Sequence, residues 1–167
     1  VIHRDLKPSN ILMTHGRCKI ADFGLSLVTR PTFRGTKSKS RDGSFGKAGT
    51  MRYMAPEVLS NGSYGVSADL FSFGVVGFEI FEGEYPEELL KGGQQAFIKS
   101  VLSGAVSSKL VISRGPQELK LLVKSCLSVD KNQRPSTIAV LERILAIEQK
   151  VSKLIHFLCV DSYPSNM

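Results

Sequence analysis

The stretch HRDLKPSN, residues 3–10, places three different functional groups on one short loop. Asp5 can accept a proton from an incoming hydroxyl, and Lys7 can neutralise negative charge that develops on a phosphoryl oxygen. Asn10 can offer its amide oxygen to a hard cation such as Mg²⁺. Pro8 prevents a regular helix through the middle of the stretch. Taken alone, the same pattern is also typical of a turn that is held by local hydrogen bonds.

A second acidic residue follows a predicted β-hairpin. Two apolar or alternating runs, 11–13 and 17–21, flank the sequence Thr14-His15-Gly16, which favours a turn. A hairpin brings its two ends together, so we expect Asp22 to lie near Asn10. Two oxygen ligands would then share one metal site.

The longest apolar stretch, Leu70–Phe81, predicts a helix that is buried on almost every side. It is too short to span a bilayer, and we expect no membrane segment in the chain. Ser67 can cap this helix, with Asp69 in its first turn. Gly83 is placed to end it.

Weaker periodic patterns predict the remaining helices. Pro56 can begin a short helix that continues through 57–59, and residues 97–102 carry a faint helical pattern. One further helical face is defined by Leu119, Leu122, Val123, Cys126 and Leu127. Ser136 can cap a last helix, whose apolar face is predicted at positions 138, 141, 144, 145, 151, 154, 155 and 158. The predicted fold class is therefore α+β, mainly α, with a short β-hairpin at the start.

Composition narrows the class of protein. The chain has 167 residues, of which 42% are hydrophobic, enough for one globular domain with a core. The net charge of +7 is concentrated in a Gly/Ser/Thr-rich segment, which favours a solvated or regulated loop, so we expect no nucleic-acid partner. The basic residues of this segment are Arg30, Arg34, Lys37, Lys39, Arg41 and Lys47. Three scattered cysteines argue against disulfides and a zinc site and suit a reducing compartment, so we expect a cytoplasmic location.

Several short motifs occur in a characteristic order: His3-Arg4-Asp5, Asp22-Phe23-Gly24, Ala55-Pro56-Glu57, then Asp69 and Arg134. This ordered set resembles the C-terminal lobe of a eukaryotic protein kinase catalytic domain. The resemblance implies a protein-kinase-like lobe, with ATP and Mg²⁺ as cofactors and a protein as substrate.

The resemblance also implies domain boundaries. It assigns residues 1–158 to the C-terminal lobe, with the activation segment at 22–57 and a tail at 159–167. In a complete kinase a Gly-rich loop and a strand lysine precede the HRD motif, so we expect the N-terminal lobe to be absent from this chain. The isolated residues are then expected to be marginally stable and without measurable kinase activity.

The catalytic roles carried over from the family fall on five residues. Asp5 would be the catalytic base, and Lys7 would contact the transferred phosphate. Thr50 would touch both of these side chains. Asn10 and Asp22 would hold Mg²⁺ and so help to bind ATP.

A regulatory role is implied for Arg4, which would pair with a phosphorylated residue of the activation segment. Among the hydroxyl residues of that segment, Ser40 and Ser44 are well placed to receive the phosphate. The phosphate would come from an upstream kinase or from autophosphorylation in trans.

Structural roles are implied for five further positions. His3 and Phe23 would pack beside the metal site, and Asp69 would brace the catalytic loop through its backbone. Glu57 and Arg134 would form a buried ion pair. Each of these residues taken singly could also be an ordinary core or surface residue.

Substrate class also follows from resemblance. Lys7, two residues after Asp5, and Gly49-Thr50 both match Ser/Thr kinases, and the stretch GTMRYMAPEV is most similar to the tyrosine-kinase-like group. The chain departs from the family at three packing positions, Phe71, Leu127 and Lys131. Two hypotheses remain open: part of a Ser/Thr protein kinase, or a non-catalytic kinase-lobe module that binds or regulates proteins.

Overall fold

A computed structural model describes residues 1–28, 51–60 and 65–160, with side chains described through residue 153. Within these ranges the chain forms a two-stranded sheet, six α-helices and three short 3₁₀ turns. The strands are β1 (Ile11–Thr14) and β2 (Arg17–Ile20), and the helices are α1 (Pro56–Leu59), α2 (Val66–Glu82), α3 (Gly93–Leu102), α4 (Ala105–Lys109), α5 (Gln117–Cys126) and α6 (Thr137–Val160). The 3₁₀ turns are Pro8–Asn10, Glu87–Leu89 and Lys131–Gln133.

The predicted β-hairpin is confirmed. β1 and β2 pair antiparallel, with Ile11 opposite Ile20 and Thr14 opposite Arg17. The two loop residues, His15-Gly16, have φ values of 47° and 72°, which is the left-handed geometry that two-residue hairpin loops favour. The hairpin returns the chain to the loop that precedes β1.

α2 is the central helix of the core, as its apolar sequence predicts. Phe71 and Val75 are 1% and 0% exposed, and Val76 and Phe78 are also buried. The helix ends at Gly83, whose φ of 95° suits glycine and whose N–H donates to the carbonyl of Glu79 over 2.9 Å.

The predicted cap of α2 is wrong. The helix begins at Val66, so Gly65 holds the cap position in an extended conformation and no side chain caps the helix. Ser67 lies inside the first turn. Asp69 is in the first turn as predicted, but its carboxylate bonds to a different segment of the chain.

Two glycines allow α2 to approach α5 closely. A Cβ atom at Gly77 would lie 2.9 Å from Cγ2 of Val123, and one at Gly74 would lie 3.0 Å from Cδ2 of Leu127. Val123 and Leu127 are almost fully buried, so no space remains for a side chain on this face of α2.

The last helix is capped as predicted, but only part of its predicted apolar face is buried. Ser136 accepts a hydrogen bond at Oγ from the N–H of Ala139 over 3.1 Å. Val140 is buried and Ile144 packs beside it, in a cluster with Leu70 of α2. Four positions of the predicted apolar face are exposed, namely Ile138, Leu141, Leu145 and Val151, and the side chains at positions 154, 155 and 158 lie outside the described residues. Apolar residues occur on more than one side of this helix, so its periodicity does not select the side that meets α5.

Helix α1 has the predicted bounds, and α3 is longer than the sequence predicts. α1 begins at Pro56 and packs on α3, which starts at Gly93, four residues before the predicted pattern. Across the part of the chain that the structure describes, every helix is too short or too polar to cross a membrane.

Candidate active site

Asp69 fixes the backbone of the loop that carries the HRD motif. Its Oδ2 accepts the N–H of His3 over 2.7 Å, and its Oδ1 accepts the N–H of Arg4 over 2.9 Å. Arg4 has a φ of 72°, which is costly for a residue with a side chain. Two charge-assisted hydrogen bonds to successive amides hold this conformation and fix the loop against the first turn of α2.

His3 connects this loop to the end of the hairpin. The ring is buried, its Nε2 lies 2.9 Å from the carbonyl of Ala21, and its Nδ1 accepts the N–H of Asp5 over 3.3 Å. These contacts require the proton on Nε2. The ring of Phe23 meets His3 edge-on, with ring centroids 5.0 Å apart, although Phe23 is 55% exposed.

Asp5, Lys7 and Asn10, the three groups of the opening motif, converge. The Nζ atom of Lys7 lies 2.7 Å from Oδ2 of Asp5. Nδ2 of Asn10 donates to the carbonyl of Asp5 over 2.8 Å and reaches its Oδ2 over 3.2 Å. The contacts of the described residues therefore fall on Oδ2 and orient the carboxylate, so that Oδ1 is the oxygen that can accept a proton from a substrate.

The backbone of Asn10 lies beside the predicted second metal ligand. The N–H of Ala21 donates to the carbonyl of Asn10 over 2.8 Å, so Asp22 follows immediately after a residue bound to Asn10. Asp22 has a φ of 61°, a conformation that Asp tolerates, and its Oδ1 accepts the N–H of Gly24 over 3.3 Å. The backbone of Asp22 therefore lies close to that of Asn10, as expected from the hairpin.

The oxygen donors at this place suit a magnesium ion. Asn10 uses its nitrogen in the contact with Asp5, which leaves the amide oxygen as its metal-binding atom, and Asp22 is exposed. Among the described residues, no group of three or more His, Cys, Asp or Glu side chains could hold a metal. A site with one carboxylate and one amide oxygen fits Mg²⁺, which usually completes its shell with phosphate oxygens and water.

Glu57 and Arg134 form a two-point ion pair. The Nη1 and Nη2 atoms of Arg134 lie 2.7 and 2.8 Å from the two carboxylate oxygens of Glu57. This contact ties α1 to the segment that precedes α6. The other predicted residues, Ser40, Ser44 and Thr50, lie outside the described residues.

Motif reasoning missed a groove next to the catalytic loop. The groove has a volume of about 580 Å³, and its lining includes Pro8, Arg52, Tyr53, Glu79 and Tyr85. The Tyr53 hydroxyl donates to the Glu79 carboxylate, with O–O distances of 2.9 and 3.1 Å. Burial, and then the bond to Glu79, raise the pKa of Tyr53 above its ordinary range. The residues Arg52-Tyr53 lie just before the APE motif in the sequence. No local pattern predicts that Tyr53 contacts Glu79, which is 26 residues away.

A family model described as the protein kinase domain matches residues 1–145. The chain belongs to the protein kinase family. The HRD loop braced by Asp69 and the hairpin that leads to Asp22 are thus parts of a kinase domain, and the fold predicted from the motifs is confirmed.

The chain is similar to several curated proteins that are named as kinases. The chain is 35% identical over 153 residues to the serine/threonine-protein kinase VIK of Arabidopsis thaliana, covering 89% of the chain and 33% of that protein. It is 33% identical to calcium/calmodulin-regulated receptor-like kinase 2 of Arabidopsis thaliana, covering 92% of the chain and 34% of the relative. It is 32% identical to mitogen-activated protein kinase kinase kinase 11 of Homo sapiens, covering 90% of the chain and 17% of the relative. The chain thus spans about a third of the length of these relatives, or less.

Proposed function

We propose that the chain is part of a Ser/Thr protein kinase that transfers the γ-phosphoryl group of ATP to protein hydroxyls with Mg²⁺. The observation that supports this most directly is the arrangement around Asp5, where Lys7 and Asn10 hold one carboxylate oxygen and, among the described residues, leave the other available. The relatives named as serine/threonine kinases support the acceptor class.

In the proposed reaction, Asp5 orients the acceptor hydroxyl and takes its proton. The hydroxyl oxygen forms a bond to the γ-phosphorus while the bond from that phosphorus to the β–γ bridging oxygen breaks, so that ADP leaves. Lys7 lies 2.7 Å from the Asp5 carboxylate, close enough to neutralise charge on the transferred group. Asp69 contributes indirectly, because it holds the backbone from which Asp5 projects.

Asn10 and Asp22 are the residues that would hold the metal. A bound Mg²⁺ would neutralise charge on the phosphate oxygens of the nucleotide. The Asn10 side chain would bind the metal through its oxygen while its nitrogen contacts Asp5. It would therefore fix the distance between the metal and the catalytic base.

The test is the variant Asp5→Asn, made in the chain and in any longer product of the same gene that carries it. Phosphate transfer to Ser, Thr and Tyr peptides is measured with ATP and Mg²⁺. Turnover should fall by about 10²- to 10⁴-fold, the usual contribution of a positioned acid or base, with little change in the KM for ATP. Glu148→Gln, on the exposed side of α6, is the control and should keep full activity.

Two results would contradict the proposal. Asp5→Asn with wild-type turnover would remove the assigned base. A longer wild-type product of the gene that binds a peptide but transfers no phosphate would favour the alternative, a non-catalytic module that binds proteins, whereas an inactive 167-residue chain is expected under both hypotheses.

A further inference from the structure

Arg52 occupies a position that is built to hold a cation. Its guanidinium carbon lies 5.9 Å from the ring centroid of Tyr53 and 5.5 Å from that of Tyr85. Its Nη1 atom lies 3.8 Å from Oε1 of Glu79. Two aromatic faces and a carboxylate around one guanidinium form a cation cage, in which each ring interaction stabilises the charge.

The walls of this cage do not depend on Arg52. Tyr53 and Glu79 are hydrogen-bonded to each other, and Tyr85 is only 3% exposed. Tyr53 and Tyr85 belong to the main hydrophobic core cluster, while Glu79 extends from the rigid helix α2. Removing the arginine side chain would leave these three groups in place.

Arg52 does not use all of the hydrogen-bonding groups around it. At 3.8 Å its contact with Glu79 is an ion pair without a hydrogen bond, and its Nε is buried with no partner among the described residues. Tyr85 also lines the groove, and its hydroxyl is buried with no partner within the same residues. The cage therefore retains hydrogen-bonding capacity that a differently placed cation could use.

The groove around the cage is acidic. Its lining includes the carboxylates of Glu79, Glu84 and Glu87, against the cations Arg52 and Lys91. Among the described residues, Arg52 is the cation that reaches the two rings. Without it, the carboxylates of the described lining would outnumber its remaining cation by three to one, and the groove would attract a positive side chain.

We propose that Arg52 is a specificity-determining residue, which fills a cation cage of Tyr53, Tyr85 and Glu79 and so excludes basic side chains of a substrate from the groove. Pro8 of the catalytic loop lines the same groove. A peptide whose hydroxyl lies at Asp5 would therefore pass the cage within a few residues. The exclusion of substrate side chains rests on the proposed kinase function, whereas the cage itself does not.

The cage is tested by direct binding, without any assay of activity. Methylguanidinium is titrated into the 167-residue chain at constant ionic strength and followed by two-dimensional NMR. Arg52→Ala should bind it at least about tenfold more tightly than the wild type, because the cage is then vacant. Arg52→Lys keeps a cation in the cage and is the matched control, in which no gain is expected.

The dependence on Glu79 makes this test specific. In the double variant Arg52→Ala/Glu79→Gln the gain should disappear, whereas Arg52→Ala/Glu148→Gln should retain it. Thermal unfolding checks that each variant is folded, and Arg52→Ser provides a second small replacement. Equal binding by the wild type and by folded Arg52→Ala or Arg52→Ser would overturn the proposal.

Peptide specificity tests the consequence for substrates. A peptide series with a single arginine moved along the sequence is phosphorylated by the longest available form of the protein. The wild type should show no preference for arginine, whereas Arg52→Ala should prefer it at one position by about tenfold through a lower KM. A wild type that already prefers arginine there, or an Arg52→Ala variant without the gain, would contradict the assignment. If guanidinium binding is gained but no form transfers phosphate, the cage stands and the proposed kinase function fails.

Discussion

Glu57 and Arg134 meet in a forked ion pair although 77 residues separate them in the sequence. The side chain of Arg134 is fully buried, and it donates further hydrogen bonds to the carbonyls of Ser67 and Ser128, over 2.7 and 2.8 Å. Its guanidinium also lies 5.1 Å from the ring centroid of Phe71. One side chain therefore joins α1, the start of α2 and the segment before α6.

Replacing Arg134 with methionine should be strongly destabilising. The substitution keeps an apolar side chain of similar length but leaves the Glu57 carboxylate and two carbonyl groups without their donor. Breaking a buried ion pair by removing one partner costs about 3–5 kcal/mol. Urea unfolding measures the loss, and Arg143→Met on the exposed face of α6 is the control. Arg134→Lys should recover little, because lysine cannot form the forked contact. Equal stability of Arg134→Met and the control would contradict this role.

Asp69→Ala should loosen the catalytic loop specifically. The amides of His3 and Arg4 would lose their acceptor, and hydrogen bonds to a charged group are each worth about 1.5–3 kcal/mol. Hydrogen exchange of these two amides, followed by NMR, should accelerate far more than exchange in the centre of α2. Glu142→Gln, exposed on α6, provides the control. Unchanged protection of both amides in Asp69→Ala would show that the loop holds its conformation without the carboxylate.

Gly77→Ala tests the close approach of α2 and α5. Alanine favours a helix by about 1 kcal/mol over glycine, but its Cβ would lie 2.9 Å from Cγ2 of Val123. Overpacking of a core costs about 1–3 kcal/mol, and the stiff Val123 side chain cannot rotate away easily, so the net effect should be destabilising. In a double-mutant cycle with Val123→Ala, the combined loss should be smaller than the sum of the single losses. Strict additivity would contradict the clash.

The features that the sequence predicted correctly are those with local causes. His15-Gly16 forms the hairpin turn, Pro56 begins α1 and Gly83 ends α2, each because of its own backbone preferences. The features it missed depend on distant partners. The buried side of α6 is chosen by contact with α5, and the groove depends on the meeting of Tyr53 with Glu79, 26 residues later. Local patterns contain no information on these contacts.

The residues of the catalytic loop show the same division. Asp5, Lys7 and Asn10 are close in sequence, so their convergence could be expected from the loop itself. The role of Asp69 came only from family resemblance, because its partners are 65 and 66 residues away. A carboxylate in the first turn of a helix has a local explanation of its own, a favourable interaction with the helix dipole.

Glu82 should make the stability of the chain depend on pH in the acid range. Hydrogen bonds from the backbone N–H of Ser113, from its hydroxyl and from the N–H of Arg114 lower the pKa of Glu82 below its ordinary value of 4.5. A carboxylate whose pKa is lower in the folded state stabilises the fold above the unfolded-state value, and this contribution is lost as the pH falls through the folded value. Urea midpoints measured from about pH 6 down to about pH 3 should therefore fall less steeply in Glu82→Gln than in the wild type. Glu148→Gln controls for the loss of one exposed carboxylate. Identical slopes for Glu82→Gln and the wild type would show that these hydrogen bonds do not favour the ionised form.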